Sequence, residues 1–394
     1  MSQPARVQSR LDWLQRAALL VGAAGLIGCG IGAFLNPTQF FHSYLLAYLF
    51  WLGLGLGCLG ILMVHYLAGG AWGAILRRAL EAGMNTLPLM ALLFVPLLFG
   101  LRELYSWARP EAVASDELLH QKSAYLNTPF FVLRLVVYFL AWLTVAYVLK
   151  RWSRQQEEAT EWVIRDASAR RLALFSGVGL VIYSITMTFA AVDWAMSLEP
   201  QWYSTIYGII FLVGQLLGAM AFAVIITALL ADDAPLVEII TPEHLHDIGN
   251  LLLTSVLFWA YIAFSQLVII WSGNLPEEIR WYVQRTQGGW QWVGVALALL
   301  QFAVPFILLL SQDIKRHVRR LAMIAAGILF MHLVEVFWIV MPTFYRQGPS
   351  LHWLDVGAIL GVGGVWLAMF VWQLKGRAFL PLHDPSLQGA PAHG

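Results

Sequence analysis

The sequence predicts an all-α integral membrane protein with ten transmembrane helices, and three observations predict it. Charged residues make up 12% of the 394 residues, about half the ~25% usual in soluble domains. Hydrophobic residues make up 59%, which excludes intrinsic disorder, because so much apolar surface must be buried. Ten apolar stretches reach the ~20 residues needed to cross ~30 Å of hydrocarbon. They lie at about 13–35, 43–66, 82–101, 128–149, 172–196, 204–230, 248–272, 291–311, 321–341 and 353–374. Barrel strands would alternate apolar and polar side chains, and these runs do not, so helices must satisfy the backbone. A net charge of +1 without a basic patch argues against nucleic-acid binding.

The first run, from Leu14 to Leu35, is opened by Arg6, Arg10 and Arg16 and so has the charge of a signal peptide. It is long for such a segment and no small-x-small cleavage site closes it, so it is read as a membrane helix. Helix three carries Pro88 and Pro96, and helix eight carries Pro305. Glycine-rich stretches, Gly53–Gly57 and Gly361–Gly364, suit close helix packing. Links are short, so the chain reads as one polytopic membrane domain. Three links are longer. Residues 102–127 carry mixed charge, and residues 150–171 read as a charged helical link with Arg154, Glu157, Glu158, Glu161 and Arg165. Residues 273–290 predict an interfacial helix after Pro276, with two acids and several aromatics that should meet an extracytoplasmic partner. The tail from Arg377 is rich in Pro and Gly and should lie along a surface.

Ten crossings put both termini on one side, and Lys and Arg tell which. Of the 24 Lys and Arg, 17 fall on the side of the termini and 6 on the other, with Arg134 inside a helix. Both termini are therefore expected in the cytoplasm. Cys29 and Cys58 lie in apolar runs, and no CxxCH or cysteine cluster offers covalent haem, iron–sulfur or zinc ligation. Gly55, Gly57 and Gly60 fit Gly-x-Gly-x-x-Gly, but inside an apolar run and not between a strand and a helix, so the match is weak. No metal site is expected, and no redox centre of the chain's own.

Ionisable groups in hydrocarbon cost ~2.5–3.5 kcal/mol on insertion scales, so each one asks for a reason. His332 and Glu335 share one face of helix nine near the membrane centre. An imidazole beside a buried carboxyl can exchange a proton with it, which makes the pair a proton relay or quinol contact; a structural pair is the alternative. Helix seven carries Asp247, Asn250, Thr254, Tyr261 and Ser265 on one face over roughly 27 Å, interrupted by Phe258. That stripe would line a hydrated path or serve as interhelical polar glue. Helix five carries Ser176, Tyr183, Thr186 and Asp193. Asp193 with Trp194, at the outer surface, is a candidate for a quinol head group or for an aromatic girdle. Arg134 is expected to pair with Asp193 or Asp355, or to snorkel. Asp355, beside His352, opens helix ten and suits its N-terminal dipole. His65 and Asp313 sit at cytoplasmic helix ends, where His65 is a candidate proton entry.

In context these residues resemble a known family. The signatures are DWAMSLEPQWYSTIYG at 193–208, HLHDIGNLLL at 244–253, FSQLVIIWSGNLPEEIRWY at 264–282, HLVEVFWIVMPTF at 332–344 and LKGRAFLPLHDP at 374–385. GGAWG with Arg77, Arg78, Glu81 and Ala82 fits the wider group. Over nearly the whole chain the sequence resembles the ActF family, membrane subunits of bacterial alternative complex III within the NrfD/polysulfide-reductase-like membrane proteins. The resemblance implies ten helices, with helices two to five and six to nine as four-helix bundles flanked by the first and last. It implies an inner-membrane complex that oxidises quinol and passes electrons to a cytochrome c or an oxidase. Haem c and iron–sulfur clusters would sit in partner subunits, beside a related NrfD-like membrane subunit, and quinone or quinol is the small molecule the resemblance implies for this chain. On that account His332, Glu335, Asp247 and Asp193 are proton carriers. Two other readings stand beside this one. A secondary transporter would show paired broken helices, and none are matched here; a pure scaffold would use its polar groups only as helix glue.

Overall fold

The computed structural model describes residues 5–158, 162–231 and 236–375. The tail from Arg377 lies outside the described residues, as do Glu161 and the side chains of Arg6 and Arg165. Among the described residues every regular element is a helix, and ten helices are long and apolar enough to cross a membrane. They are α1 (Ala5–Leu35), α2 (Pro37–Ala68), α3 (Ala71–Phe99), α4 (Thr128–Glu158), α5 (Trp162–Trp194), α6 (Tyr207–Leu230), α7 (Pro242–Gly273), α8 (Trp290–Leu310), α9 (Val318–Val340) and α10 (Trp353–Lys375).

Local chemistry sets the boundaries. Asn36 caps α2 by accepting from Gln39 N, and Pro37 follows at the first helical position, where a missing amide costs nothing. Thr241 and His244 form a capping box at the start of α7, again ahead of a proline. Asn274 ends α7 in the left-handed conformation, φ 47°, and Pro276 then opens the interfacial helix Pro276–Arg285, as the sequence predicts.

Two spanning helices are interrupted. α3 runs as Ala71–Met84, Leu87–Leu93 and Val95–Phe99. Pro88 and Pro96 have no amide to donate, and the Thr86 hydroxyl donates to Gly83 O at the first break, 2.7 Å. In α8 the segment Leu297–Ala303 is a π-helix. Pro305 cannot donate to the carbonyl four residues back, at Gln301, and the widened turn lies directly before it.

α3 begins eleven residues earlier than its apolar run, at Ala71 and not near 82. Arg77, Arg78 and Glu81 depress the hydropathy of that stretch, yet all three are buried. Helices α2 and α6 form the centre, buried along most of their length. α2 packs against α3, α5, α6 and α10; α6 packs against α5, α7 and α9; α4 packs on α5; α8 packs on α7 and α9; α1 packs on α10. α1 otherwise presents an apolar outer face, with Leu20, Ile27 and Phe34 exposed.

Candidate functional site

The centre of the fold holds a buried carboxylate. Glu335 and His332 lie on α9 (Val318–Val340), Glu335 roughly 8 Å and His332 roughly 12 Å of helix from Val340, and both are 3% exposed. His332 Nδ1 lies 2.9 Å from Glu335 Oε2. Two further donors reach the same carboxylate: Trp259 Nε1, on α7, donates to Oε1, and Gln301 Nε2, from the π-segment of α8, donates to Oε2 at 3.0 Å. The interruption before Pro305 thus carries the side chain that completes the site.

The fourth wall is α6, where Gly214 and Gly218 face the pair. A Cβ on Gly214 would sit 3.1 Å from Glu335 Oε2, and one on Gly218 would sit 3.0 Å from His332 Nε2. Glycine at these two positions lets α6 approach a helix that carries two polar side chains. Beside them a cavity of about 10 Å³, lined by Gly214, Gln215, His332 and Glu335, is about the size of one water. His332 Nε2 and Gln301 Oε1 have no hydrogen-bond partner among the described residues. Gln215 in turn accepts from the Tyr183 hydroxyl at 2.8 Å, linking α6 to α5. Chemically, this is a carboxyl with an imidazole in direct contact, both side chains almost wholly buried.

We expect Gly218→Val to displace the His332 ring and lower thermal stability by about 1–3 kcal/mol. Gly327→Val on α9, where a Cβ meets nothing within 4 Å, should be neutral. Thermal unfolding of the two variants in one detergent checks this; equal melting temperatures would refute it.

The other predicted residues fall elsewhere. The stripe on α7 faces outward. Asp247, Thr254 and Tyr261 are exposed, and Thr254 donates to Asn250 O of its own helix. The inward face carries Val256, Trp259 and Gln266 instead. Most of that stripe therefore does not line the interior of this chain. Sequence periodicity finds a face but not its direction, because lipid tails are as apolar as a bundle core. Asn250 does turn partly inward, where its Oδ1 accepts from the buried Lys315 Nζ at 2.6 Å. Ser265 is half-buried. His65 is buried, with its ring beside those of Tyr66 and Trp72.

Arg134 pairs with Asp193 and not with Asp355. Nε and one terminal nitrogen each donate to an Asp193 oxygen at 2.8 Å, and Tyr138 donates to Oδ2 at 2.7 Å. The guanidinium stacks over the Tyr125 ring at 3.8 Å, and burial pushes that phenol up to about 12. Asp193 and Trp194 are almost wholly buried, and Trp194 lies among the rings of Tyr48, Phe94, Phe139 and Trp142. Both Asp193 oxygens accept from these donors, an arrangement that favours the ion-pair role over a quinol contact. Asp355 accepts from Ser43 Oγ at 2.6 Å and from His352 N at 2.8 Å, an N-terminal cap of α10 as its position suggested.

Two clusters were not legible as sites. Glu81 is bound by Arg77 and Arg78 at 3.1 and 2.9 Å, and Glu157 from α4 meets the same arginines at 3.2 and 3.0 Å. The placement of Glu81 four residues after Arg77 and three after Arg78 was the available signal. On the opposite end, Arg285 is buried against the Trp281 ring at 3.7 Å and bonds Glu199 at 3.2 Å. Burial lowers the Arg285 pKa, opposed by Glu199. Trp281 stacks on Trp202 at 5.0 Å, so the aromatics of 273–290 turn into the chain's own fold. Glu277 and Arg280 remain exposed.

Among the described residues no group of three His, Cys, Asp or Glu side chains is placed to hold a metal. No protein-family model matches the chain, and no curated protein matches it.

Proposed function

We propose that this chain is a non-redox subunit of a quinol:cytochrome c or quinol:oxidase oxidoreductase complex in the bacterial inner membrane. It anchors its partners and takes part in proton movement coupled to quinol oxidation. The observation that carries this reading is Glu335, a buried carboxyl held against His332 within a helix long and apolar enough to cross a membrane, and reached by donors from α7 and α8. An intramembrane ionisable pair is expensive and is retained where protons or ions pass. The sequence signatures at 193–208, 264–282 and 332–344 support the complex. Haem c and iron–sulfur clusters then belong to partner subunits, together with a related NrfD-like membrane subunit, and quinol is oxidised outside the Asp193 region. Contacts of α2 with α3 and α5, and of α6 with α7 and α9, favour two four-helix bundles, α2–α5 and α6–α9. The excess of Lys and Arg on the side of the termini favours cytoplasmic ends.

The breaks give the transporter reading little support: α3 and α8 hold different places in the two halves. One observation favours the scaffold reading. Three donors satisfy Glu335, as structural glue would require. Glu335→Gln separates the two. It keeps the shape and the Trp259 contact but cannot carry a proton. The complex purified with its c-type haem from this variant should assemble normally and show a reduced proton-to-electron ratio in proteoliposomes. An unchanged ratio would sink the relay; loss of haem-bearing partners would leave the scaffold.

A further inference from the structure

The membrane face between α8 and α9 carries a groove that neither the relay nor the packing uses. Its volume is about 480 Å³, and its walls are apolar, including Leu300, Pro305, Leu308, Met323 and Met331, with Arg320 the single charged residue. The groove has a local cause. The π-segment and Pro305 draw α8 out of regular register, and Gly327 on α9 contributes no side chain where a Cβ would meet nothing within 4 Å.

Charge marks one end. Arg320 lines the groove and pairs with Asp313. Arg316 and Arg319 are exposed within a turn of it, and Glu243 lies near Arg316, so three arginines stand against two carboxylates and the end keeps a net positive charge. From Arg320 to Met331 the helix rises roughly 16 Å, close to one leaflet, about half of ~30 Å of hydrocarbon. An apolar trough one leaflet deep, closed by arginines at the headgroup level, has the shape and polarity of a phospholipid with a negative head. We propose that this groove is a binding site for an anionic phospholipid, its acyl chains along Met323 and Gly327 and its phosphate at Arg320. A partner's transmembrane helix would fill the apolar part but would leave the excess positive charge of the arginines unmatched. The site stands independently of the proton relay.

The test uses the full chain in mild detergent and native mass spectrometry with added phosphatidylglycerol, cardiolipin or phosphatidylcholine of matched acyl chains. Wild type should retain the anionic lipids over phosphatidylcholine by about fivefold per basic residue engaged. Arg320→Gln should cut that preference about fivefold, and Arg316→Gln/Arg319→Gln/Arg320→Gln should erase it. Gly327→Phe should remove the bound lipid of any head group while melting temperature stays unchanged. Equal retention of all lipids, or a preference that survives the triple variant, overturns the proposal. So does a Gly327→Phe variant that keeps its lipid and instead loses a co-purifying polypeptide. If Gly327→Phe fails to fold, a photoactivatable phosphatidylglycerol should label peptides of α8 and α9 in the wild type. Labelling spread evenly over all exposed helices overturns the assignment.

Discussion

Arg134→Leu is expected to cost about 3–5 kcal/mol of stability and to deplete folded protein in the membrane, because it strands Asp193 as an unpaired buried charge. The carboxylate is 0% exposed and receives two guanidinium donors and the Tyr138 hydroxyl. Removing Arg134 leaves the Tyr138 hydroxyl as the neutral donor to a fully buried ion. The reciprocal change, Asp193→Leu, should hurt less: Arg134 keeps the Tyr125 carbonyl at 2.9 Å and two aromatic faces, Tyr125 and Phe130. The double variant Arg134→Leu/Asp193→Leu should recover most of the loss, since a buried pair replaced by apolar groups is often neutral. Thermal unfolding of the three purified variants gives the coupling directly. If Arg134→Leu melts with the wild type, the pair is not buried as described.

How much of this was legible in the sequence differs from element to element. The ten helices were, because hydrocarbon imposes a minimum apolar length. The interfacial helix after Pro276 was, because proline fixes a helix start. The His332–Glu335 pairing was, because three residues on one helix share a face. Their partners were harder. Trp259 is one more aromatic in an apolar run, and nothing in its local pattern marks the side of α7 that turns inward. Asp247 and Tyr261 formed a cleaner polar stripe than Gln266 and Trp259, yet the stripe lies outside. In a soluble protein the polar face would be outward by rule; in a membrane the rule has no fixed sign, so pattern alone could not choose. Arg77, Arg78 and Glu81 failed the apolar-length test for the same reason that they can be buried: their charges cancel within one turn and against Glu157. Gln301 was visible as a polar residue, but its reach to Glu335 depends on a π-segment, which only Pro305 hinted at.

Gly25→Val is the second large effect, and it concerns how α1 is held. A Cβ at Gly25 would stand 2.6 Å from Gly361 Cα and 2.8 Å from Gly357 O; one at Gly22 would stand 2.8 Å from Val365 N. Those are backbone atoms, which cannot swing aside, so valine must push α1 and α10 apart along the whole seam. The seam is most of what α1 has. Apart from a smaller contact with α2 its outer face is exposed, and in lipid no hydrophobic force returns a displaced helix to its partner. Beyond the seam, Lys375 Nζ reaches Asp12 and Gln15 on α1, a contact at the helix end that screening by salt weakens. The expected result is release of α1 with α2–α10 intact. Cysteines placed at Asp12 and Lys375 should crosslink in the parent chain and lose nearly all crosslinking when Gly25→Val is added. Gly30→Val is the control: it adds the same side chain to the same helix where nothing lies within 4 Å, and it should crosslink as the parent does. If both variants crosslink equally, small-residue packing does not hold α1. If both fail, valine acts through α1 itself and the seam is not the cause. Release of α1 by Gly25→Val alone would tie the placement of a whole spanning helix to the absence of one methyl-bearing carbon, which is how van der Waals packing substitutes for the hydrophobic effect inside a bilayer.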